Sequence, residues 1–483
     1  MKALSGLDGA FLHIETPETP MHVASLHLFD LPRGYRGDFC ADIRHVMSER
    51  LHLVPVFTRK LAPMPLQFAN PVWVAADTVD LDYHVQKVTL PPPGTQAQLE
   101  DCAGRLHSEL LDRSRPLWRL YVIDGLETGQ AAYYIKVHHA VLDGQAGVLL
   151  AQALFDLEPT PARLAAASAP LAEHPGLAQL AAAALAHDAG QYIKLVRHLP
   201  DVLRTLTGMF GAAPAAARSG LVRDFGFGPR TVLNGPISGE RGFAAVSLPL
   251  DTLKQVAAAH EATLNEVVLA LCSGALRRYL SRHGGIPRKP LIASMPISLR
   301  AAGDAEYTTQ ATLSLVNLNT HIADPVKRLR AIRDASLAVK ALSRRTRAVT
   351  PTDFPSNGLP WLLQGLAALY GRSGITRAMP PIANVLISNV SGPPVPLFAA
   401  GARMATYWPL SITEHGLALN ITVMSYAGAM GFGFTTARSA VPDARKLSAA
   451  LLAALDELVA RSAIVDRPAG PRRKRGRPRP QPA

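Results

Sequence analysis

Residues 134–144 read Tyr-Ile-Lys-Val-His-His-Ala-Val-Leu-Asp-Gly, a short apolar run that ends in two histidines and is followed by an Asp-Gly pair. Because side chains alternate between the two faces of a strand, Ile135, Val137 and His139 are expected on one face. Lys136 and His138 are then expected on the other face. This placement predicts an apolar, water-poor environment for His139, in which its pKa can lie near neutrality and suit proton transfer.

The residues that follow the two histidines predict the start of a helix. Asp143 lies where it can cap this helix and brace the loop that carries His139. A plainer interpretation is a strand end with two polar residues and a capped helix. The adjacent histidines combined with the Asp-Gly pair favour a functional interpretation, because each additional fixed residue makes chance agreement rarer.

The composition is that of a folded globular protein. At 483 residues, the chain exceeds the size at which one hydrophobic core keeps growing, so two domains are expected. Hydrophobic residues make up 48% and charged residues 18%, which argues against a disordered chain. Cys40, Cys102 and Cys272 are odd in number and widely separated. They suggest neither a disulfide framework nor a zinc site, so we expect no metal and a reducing compartment.

The chain is strongly basic, with a formal net charge of +13. This charge suits phosphate-bearing substrates or an anionic membrane face. The first residues include Asp8 and lack a long apolar stretch, so no signal peptide is expected, and no window is apolar enough for a membrane-spanning helix. Near the C-terminus, Arg475-Gly-Arg-Pro478 looks like an AT-hook, which binds the minor groove of A·T-rich DNA. The alternative is a disordered basic tail without a dedicated partner.

Strands alternate with helices in two halves of the chain, which predicts an α/β fold. We assign residues 1–160 to the first domain, 161–240 to an Ala-, Pro- and Gly-rich linker, 241–462 to the second domain and 463–483 to a disordered tail. Strands are predicted at 23–29, 72–75, 118–124, 132–138, 243–248, 291–295, 312–318, 385–390, 419–426 and 430–436. Helices are predicted at 38–49, 97–111, 264–282 and 443–460. Thr263 and Glu266 form a capping box at the start of the third helix.

Two further stretches have the pattern of amphipathic helices. Residues 192–210, in the linker, are apolar at helical spacing and are interrupted near Pro200. Residues 325–349 combine an apolar stripe with many lysines and arginines. The second stretch is interpreted as a solvated charged face, as a contact with anionic lipid, or as a surface that attracts the phosphates of a substrate.

Ten sequence blocks, in this order, carry a resemblance to a known family. They are residues 4–11, 20–23, 71–74, 80–85, 114–118, 138–144, 229–234, 264–270, 388–393 and 419–426. The chain resembles the bacterial wax ester synthase/acyl-CoA:diacylglycerol acyltransferase family, within the superfamily of chloramphenicol acetyltransferase and peptide-synthetase condensation domains. The resemblance implies two similar chloramphenicol-acetyltransferase-like domains, each a mixed sheet with flanking helices, joined by a partly helical linker. It places the active site at their interface.

The resemblance also implies an activity, the transfer of a fatty acyl group from acyl-CoA to diacylglycerol or a fatty alcohol. His139 matches the catalytic general base, Asp143 matches the residue that organises the site, and Gly144 lets the backbone come close without a side chain. His138 is given a structural or orienting role. No acyl-enzyme is needed, so no cysteine nucleophile and no cofactor are expected, with acyl-CoA as the co-substrate.

Other matched blocks contribute candidate substrate-binding residues, namely Pro116, Leu117, Trp118, Asn265, Ser388 and Asn389. The first three either pack at a strand start or line an acyl channel. Asn265 matches the first residue of an Asn-Asp pair, and Glu266 in place of the aspartate is interpreted as structural. Ser388 and Asn389 either make turn contacts or donate hydrogen bonds toward the oxyanion or the CoA arm.

The chain departs from the family pattern in places that affect the acceptor. Ser391 stands where the family usually has proline, and residues 303–310 do not match its Gly-Asn pair. One alternative is therefore a related acyltransferase with another alcohol or amine acceptor, and another is a non-catalytic lipid- or DNA-associated homologue. The expected location is the cytoplasm, with peripheral contact to the inner membrane face or to lipid droplets.

Overall fold

A computed structural model describes most of both predicted domains. The described residues are 2–4, 6–62, 64, 69–141, 150–151, 153–160, 176, 178–179, 182, 227–298, 311–346 and 380–462. Asp143, Gly144, the predicted linker helix at 192–210, residues 303–310 and the C-terminal tail therefore lie outside the described residues.

The described elements form two sheets of six and seven strands, a small third sheet and nine helices. The helices are α1 Gly6–Ile14, α2 Phe39–Arg50, α3 Pro55–Thr58, α4 Leu81–His84, α5 Gln96–Ser108, α6 Leu250–Ala259, α7 Leu264–Ser281, α8 Pro325–Thr346 and α9 Ala444–Arg461. The strands of the first half are β1 Lys2–Ala3, β2 His22–Asp30, β3 Arg59–Ala62, β4 Val72–Ala75, β5 Val85–Thr89, β6 Trp118–Asp124 and β7 Ala131–His138. Those of the second half are β8 Arg241–Pro249, β9 Ile292–Ser298, β10 Ala311–Asn317, β11 Val385–Val390, β12 Phe398–Ala399, β13 Ala402–Met404, β14 Trp408–Leu410, β15 Leu419–Tyr426 and β16 Ala429–Ala437.

The strand that carries the histidine pair, β7, lies inside the first sheet between β2 and β6. Every residue of β7 is buried, because helices cover both faces of the sheet. Tyr133, Ile135 and Val137 pack in the core cluster that contains α2, and Ala132 and Tyr134 pack in the cluster that contains α5. The alternation predicted from the sequence is therefore confirmed.

The second sheet has the strand order β10-β9-β11-β15-β16-β8 and packs against α7 and α9. All the predicted strands of this half are present; those at 385–390 and 419–426 have the predicted bounds, and the ends of the others differ by one to three residues. The predicted capping box is also confirmed. The backbone N–H of Thr263 donates to the Glu266 carboxylate at 2.8 Å, and the side chain of Thr263 accepts from the N–H of Glu266. Glu266 is only 2% exposed, which supports its assignment as a structural residue.

Three short strands of the second half, β12, β13 and β14, belong to the first sheet. Strand β14 pairs with β2, placing Pro409 opposite Ser25. It also lies so close to β16 that a Cβ added at Gly433 would be 1.8 Å from the carbonyl oxygen of Pro409. Glycine at this position therefore permits the strand to cross between the sheets. The predicted domain boundary at residue 241 did not indicate that strands of the second half would join the first sheet.

The end of the linker is fixed to the second sheet by a buried pair of asparagines. Asn384 accepts from the N–H of Ile292 at 2.9 Å and donates to the Pro229 carbonyl at 2.6 Å and to the Asn234 side chain at 2.8 Å. A side chain at Gly228 would collide with Asn384. The block at 229–234 is therefore a structural clamp. Within the described residues, no helix is both long and apolar enough to cross a membrane.

Candidate active site

The two histidines lie at the end of β7, where both neighbouring segments hold the backbone. The N–H of His138 donates to the carbonyl of Leu117 at 3.0 Å, and the N–H of His139 donates to the carbonyl of Met21 at 2.8 Å. The chain then turns through a short 3₁₀ segment, His139–Val141. The end of the strand is thereby fixed from the β6 side and from the β2 side.

The imidazole of His139 is stacked against the ring of Phe11, with centroids 4.0 Å apart and ring planes inclined by 25°. Its Nδ1 atom is buried and has no hydrogen-bond partner in the described part of the chain. Burial, and secondarily the neighbouring His138, lowers the pKa of His139 to about 4. The pKa near neutrality predicted from the sequence is therefore too high, because the ring is more deeply buried than the strand pattern indicates. At pH 7 the ring is neutral, as a general base must be.

His138 lies on the opposite face of the strand and has no exposed surface. Its Nδ1 accepts a hydrogen bond from the N–H of Ala140 at 3.0 Å. Its Nε2 lies 3.3 Å from a carboxylate oxygen of Glu15. A ring whose Nδ1 accepts carries its proton on Nε2, which here faces that carboxylate. This geometry fits the orienting role predicted for His138.

A layer of buried polar groups continues behind His138. Lys136 donates from Nζ to the carbonyls of Leu106 and Glu109, at 2.7 and 2.5 Å. Burial lowers the pKa of Lys136 to about 7. His107 contacts the hydroxyl of Tyr134 at 2.7 Å and the carbonyl of Ser411, which directly follows β14, at 3.1 Å. The polar layer thereby connects the histidine strand with the exchanged segment of the second half.

The Pro-Leu-Trp block lies in the core beside the histidines. Leu117 and Trp118 have no exposed surface. Trp118 stacks on His84 with centroids 4.3 Å apart, and its indole N–H donates to the carbonyl of Phe57 at 3.2 Å. Together with the bond from His138 to the Leu117 carbonyl, these contacts support packing behind the site. Contact of Pro116, Leu117 or Trp118 with substrate stays a prediction.

The structure brings together two residues that the sequence separates widely. Asn265, in the first turn of α7, accepts a hydrogen bond at 3.2 Å from the side-chain amide of Asn389, near the end of β11. Both residues, and Ser388 beside them, are half-buried. Within the described part of the chain, this bond leaves the NH₂ group of Asn265 and the side-chain carbonyl of Asn389 available. They therefore offer a donor and an acceptor to a ligand.

Sequence reasoning missed Phe11, Glu15 and His22 as neighbours of the histidine pair. The blocks at 4–11 and 20–23 were noted as matching the family but received no role. Glu15 lies outside both blocks and gave no sequence signal. The roles of Asp143 and Gly144 stay predictions, because residues 142–149 lie outside the described residues.

No cluster suited to metal binding occurs among the described residues. Cys40, Cys102 and Cys272 are all buried free thiols. Burial raises the pKa of each, that of Cys272 to about 12. Thiols in such surroundings are poor nucleophiles, because the thiolate is the reactive form.

Two family models match consecutive parts of the chain. The wax ester synthase/diacylglycerol acyltransferase catalytic domain matches residues 4–268, and the C-terminal domain of the same family matches residues 309–459. The chain belongs to the wax ester synthase/diacylglycerol acyltransferase family.

Individual relatives agree with this assignment. A putative diacylglycerol O-acyltransferase of Mycobacterium tuberculosis is 36% identical over 460 residues, covering 94% of this chain and 99% of its own length. A probable diacylglycerol O-acyltransferase of the same organism is 36% identical over 458 residues, covering 93% of this chain and 97% of its own.

Solved structures of the family and superfamily match nearly the whole chain. The wax ester synthase/diacylglycerol acyltransferase of Marinobacter aquaeolei VT8 has a TM-score of 0.69 at 29% identity, covering 96% of this chain and 100% of its own. The starter condensation domain of rhizomide synthetase has a TM-score of 0.55 at 12% identity, covering 97% and 95%, so it shows a shared fold alone. The predicted two-domain α/β class is thereby confirmed.

Proposed function

We propose that this chain transfers a long fatty acyl group from acyl-CoA to the hydroxyl of diacylglycerol, of a fatty alcohol, or of both, with His139 as the general base. Membership of the family makes the chain an acyltransferase with these classes of substrate. The single observation that supports the role of His139 is its half-buried imidazole at the end of β7, stacked on Phe11, where burial lowers its pKa and leaves the ring neutral at pH 7.

In the proposed reaction, Nε2 of His139 accepts the proton of the acceptor hydroxyl while the hydroxyl oxygen bonds to the thioester carbonyl carbon. The resulting tetrahedral intermediate collapses by breaking the carbon–sulfur bond. The CoA thiolate leaves and takes the proton from His139, which returns the neutral base. The products are one ester and one CoA thiol, and no covalent enzyme intermediate forms.

Thiol release from a long-chain acyl-CoA, followed with a chromogenic thiol reagent, tests this function over a panel of acceptors. Diacylglycerol and a long-chain alcohol are expected to accelerate release strongly over buffer alone. A preference for an amine or for a polar polyketide-like alcohol would reject the proposed acceptors. The absence of release with every acceptor would reject enzymatic activity.

The low pKa of His139 predicts the pH dependence of the reaction. The base must be neutral, so kcat/KM should stay high above about pH 5 and fall as the pH drops through the pKa of about 4. A histidine with an ordinary pKa would give an acid limb near pH 6.5 instead. The measurement is the kcat/KM profile from about pH 3.5 to about pH 8, taken where the protein stays folded. An acid limb near pH 6.5 would contradict the buried placement of the ring.

The amide pair of Asn265 and Asn389 predicts a contact with the pantetheine arm of CoA, whose amides also carry one donor and one acceptor each. Asn265→Asp keeps the size and the bond to Asn389 but removes the free N–H. Loss of one hydrogen bond worth about 1 kcal/mol should raise KM for acyl-CoA about fivefold. The KM for a simple alkyl thioester of the same fatty acid, which has no amide, should not change. An equal rise for both thioesters would make the pair structural.

We further propose peripheral attachment to a membrane or lipid-droplet surface, since the lipid substrates are insoluble. Leu329 and Ile332, on the apolar face of α8, are buried in the core of the second half. This helix therefore cannot insert that face into lipid, but Lys327 and Arg330 are exposed and can contact anionic head groups. The linker segment at 192–210 is the second proposed contact.

Flotation with anionic vesicles tests this attachment. Neutralising Lys327 and Arg330 together with Lys194, Arg197 and Arg204 in the linker should weaken binding by about 1 kcal/mol for each residue that lies near the surface. Raising the salt concentration should also weaken the binding of the unchanged protein to the vesicles. Flotation that persists undiminished in the neutralised variant would exclude both segments. The basic tail lies outside the described residues, and no DNA contact is proposed for it.

A further inference from the structure

The carboxylate of Glu15 lies directly behind the histidine pair, and its side chain is only 3% exposed. One oxygen accepts a hydrogen bond from the N–H of Met21 at 3.0 Å and lies 3.3 Å from Nε2 of His138. The other oxygen accepts from the guanidinium of Arg113 at 2.8 Å. The hydrogen bonds from Met21 and Arg113 hold one oxygen each, and His138 adds a close polar contact rather than an aligned hydrogen bond.

Two chains of contacts connect this carboxylate with the backbone N–H groups of His139, the proposed base, and of Ala140, the residue after it. Through Met21, the route continues from its carbonyl to the N–H of His139 at 2.8 Å. Through His138, it continues from Nδ1 to the N–H of Ala140 at 3.0 Å. The two peptide groups that flank the His139 side chain are thus both tied to Glu15.

The same N-terminal segment also constrains the ring itself. Helix α1 carries Phe11, whose ring stacks on the imidazole of His139, and Glu15 is the residue directly after this helix. Arg113 additionally donates to the carbonyl of Leu12 at 2.6 Å, which ties the end of the helix to the loop before β6. Helix α1 and Glu15 together therefore fix both the backbone and the ring plane of His139.

We propose that Glu15 is a positioning residue for acyl transfer, acting through Met21 and His138 to hold His139 in its enclosed orientation. This inference rests on the function proposed above and assigns Glu15 no contact with substrate. Burial alone would raise the pKa of the Glu15 carboxyl, but the contacts with His138 and His22 and the N–H of Met21 hold it well below its usual range. The carboxylate therefore stays ionised throughout the range in which the enzyme is assayed.

The test compares Glu15→Gln with Glu18→Gln, a matched change at an exposed residue of the same loop. Glutamine keeps the size of the side chain but loses the negative charge that faces His138 and Arg113. A misplaced base should lower kcat about 10- to 100-fold. KM for acyl-CoA should change less than about twofold, since the loss falls on the chemical step. The acid limb of the pH profile should move from about pH 4 toward that of an ordinary histidine, because a displaced ring regains water.

A purely structural role gives a different set of results. If kcat and the acid limb of Glu15→Gln match those of Glu18→Gln, the positioning role is wrong. It is equally wrong if the rate falls by one factor at every pH, in step with a lower unfolding midpoint. Should the unchanged enzyme release no CoA with any acceptor, the proposed function itself fails. If the unchanged enzyme is active and His139→Ala is inactive, a Glu15→Gln variant with unchanged kcat and an unchanged acid limb rejects only the positioning role.

A pair of His138 variants tests the route separately. His138→Asn retains an acceptor for the N–H of Ala140 and loses the donor toward Glu15, whereas His138→Gln retains a donor that can reach Glu15. We expect the glutamine variant to lose less activity than the asparagine variant. Because the residues act in one network, Glu15→Gln combined with His138→Asn should lose about as much as the larger single loss. Losses that multiply would overturn the route through His138.

Discussion

Replacing His139 with alanine is expected to abolish ester formation, with kcat lower by about 10²- to 10⁴-fold. The variant loses the only group assigned to take the hydroxyl proton and to return it to the CoA thiolate. Its stability should fall only modestly, since His139 is half-buried and the main described contact of its ring is the stacking on Phe11. Thiol release from a long-chain acyl-CoA with diacylglycerol or a fatty alcohol measures the effect.

The matched control for this variant is His45→Ala, at a histidine whose side chain is 75% exposed on α2. It should keep the full rate. His139→Gln, which retains size and hydrogen-bonding atoms but not basicity, should be as inactive as His139→Ala. A folded His139→Ala protein that still transfers acyl groups would refute the assigned base, and the search would move to other groups near the end of β7.

Replacing Trp118 with alanine is expected to give the largest loss of stability, about 3–5 kcal/mol. The indole is fully buried, stacks on His84, meets Phe57 edge to face at 5.1 Å and bonds to the Phe57 carbonyl. The alanine variant would lose all of these contacts and leave a cavity. Urea unfolding, followed by far-UV circular dichroism, gives the shift in midpoint.

Trp118→Phe separates the two interpretations of the Pro-Leu-Trp block. It keeps an aromatic ring and loses the indole N–H bond to Phe57, so it should cost about 1–2 kcal/mol. If Trp118 packs behind the site, the preference of this variant among acyl-CoA chain lengths should match that of the unchanged enzyme. A shifted chain-length preference in the folded variant would mean that the ring lines the acyl channel.

Much of the fold was predictable, because it is encoded in short-range patterns. The strand at 118–124 was predicted with the bounds that β6 has, and the alternation of faces was correct for Ala132 to Val137 in β7. The capping box at Thr263 and Glu266 gave the start of α7, since it depends on residues three positions apart. The short strands β12, β13 and β14 were missed, because two or three residues carry no periodicity.

The candidate site was predictable only in part. The sequence by itself singled out the histidine pair at a strand end, and its ordered blocks indicated the family. It did not indicate Glu15, which reaches His138 only once α1 packs against the end of β7. Nor did it indicate how deeply the ring of His139 is buried or that Asn265 meets Asn389.

The difference between the features that the sequence predicts and those that need the tertiary structure has a physical cause. Alternation and helix capping depend on neighbours within a few residues, so the local pattern sufficed to predict β7 and the histidine pair at its end. The pKa of His139 and the hold on its backbone depend on desolvation and on hydrogen bonds from segments that are distant in sequence. The sequence therefore indicated which residue is the proposed base, and only the tertiary structure decided that Phe11 stacks on its ring and that Glu15 lies behind His138.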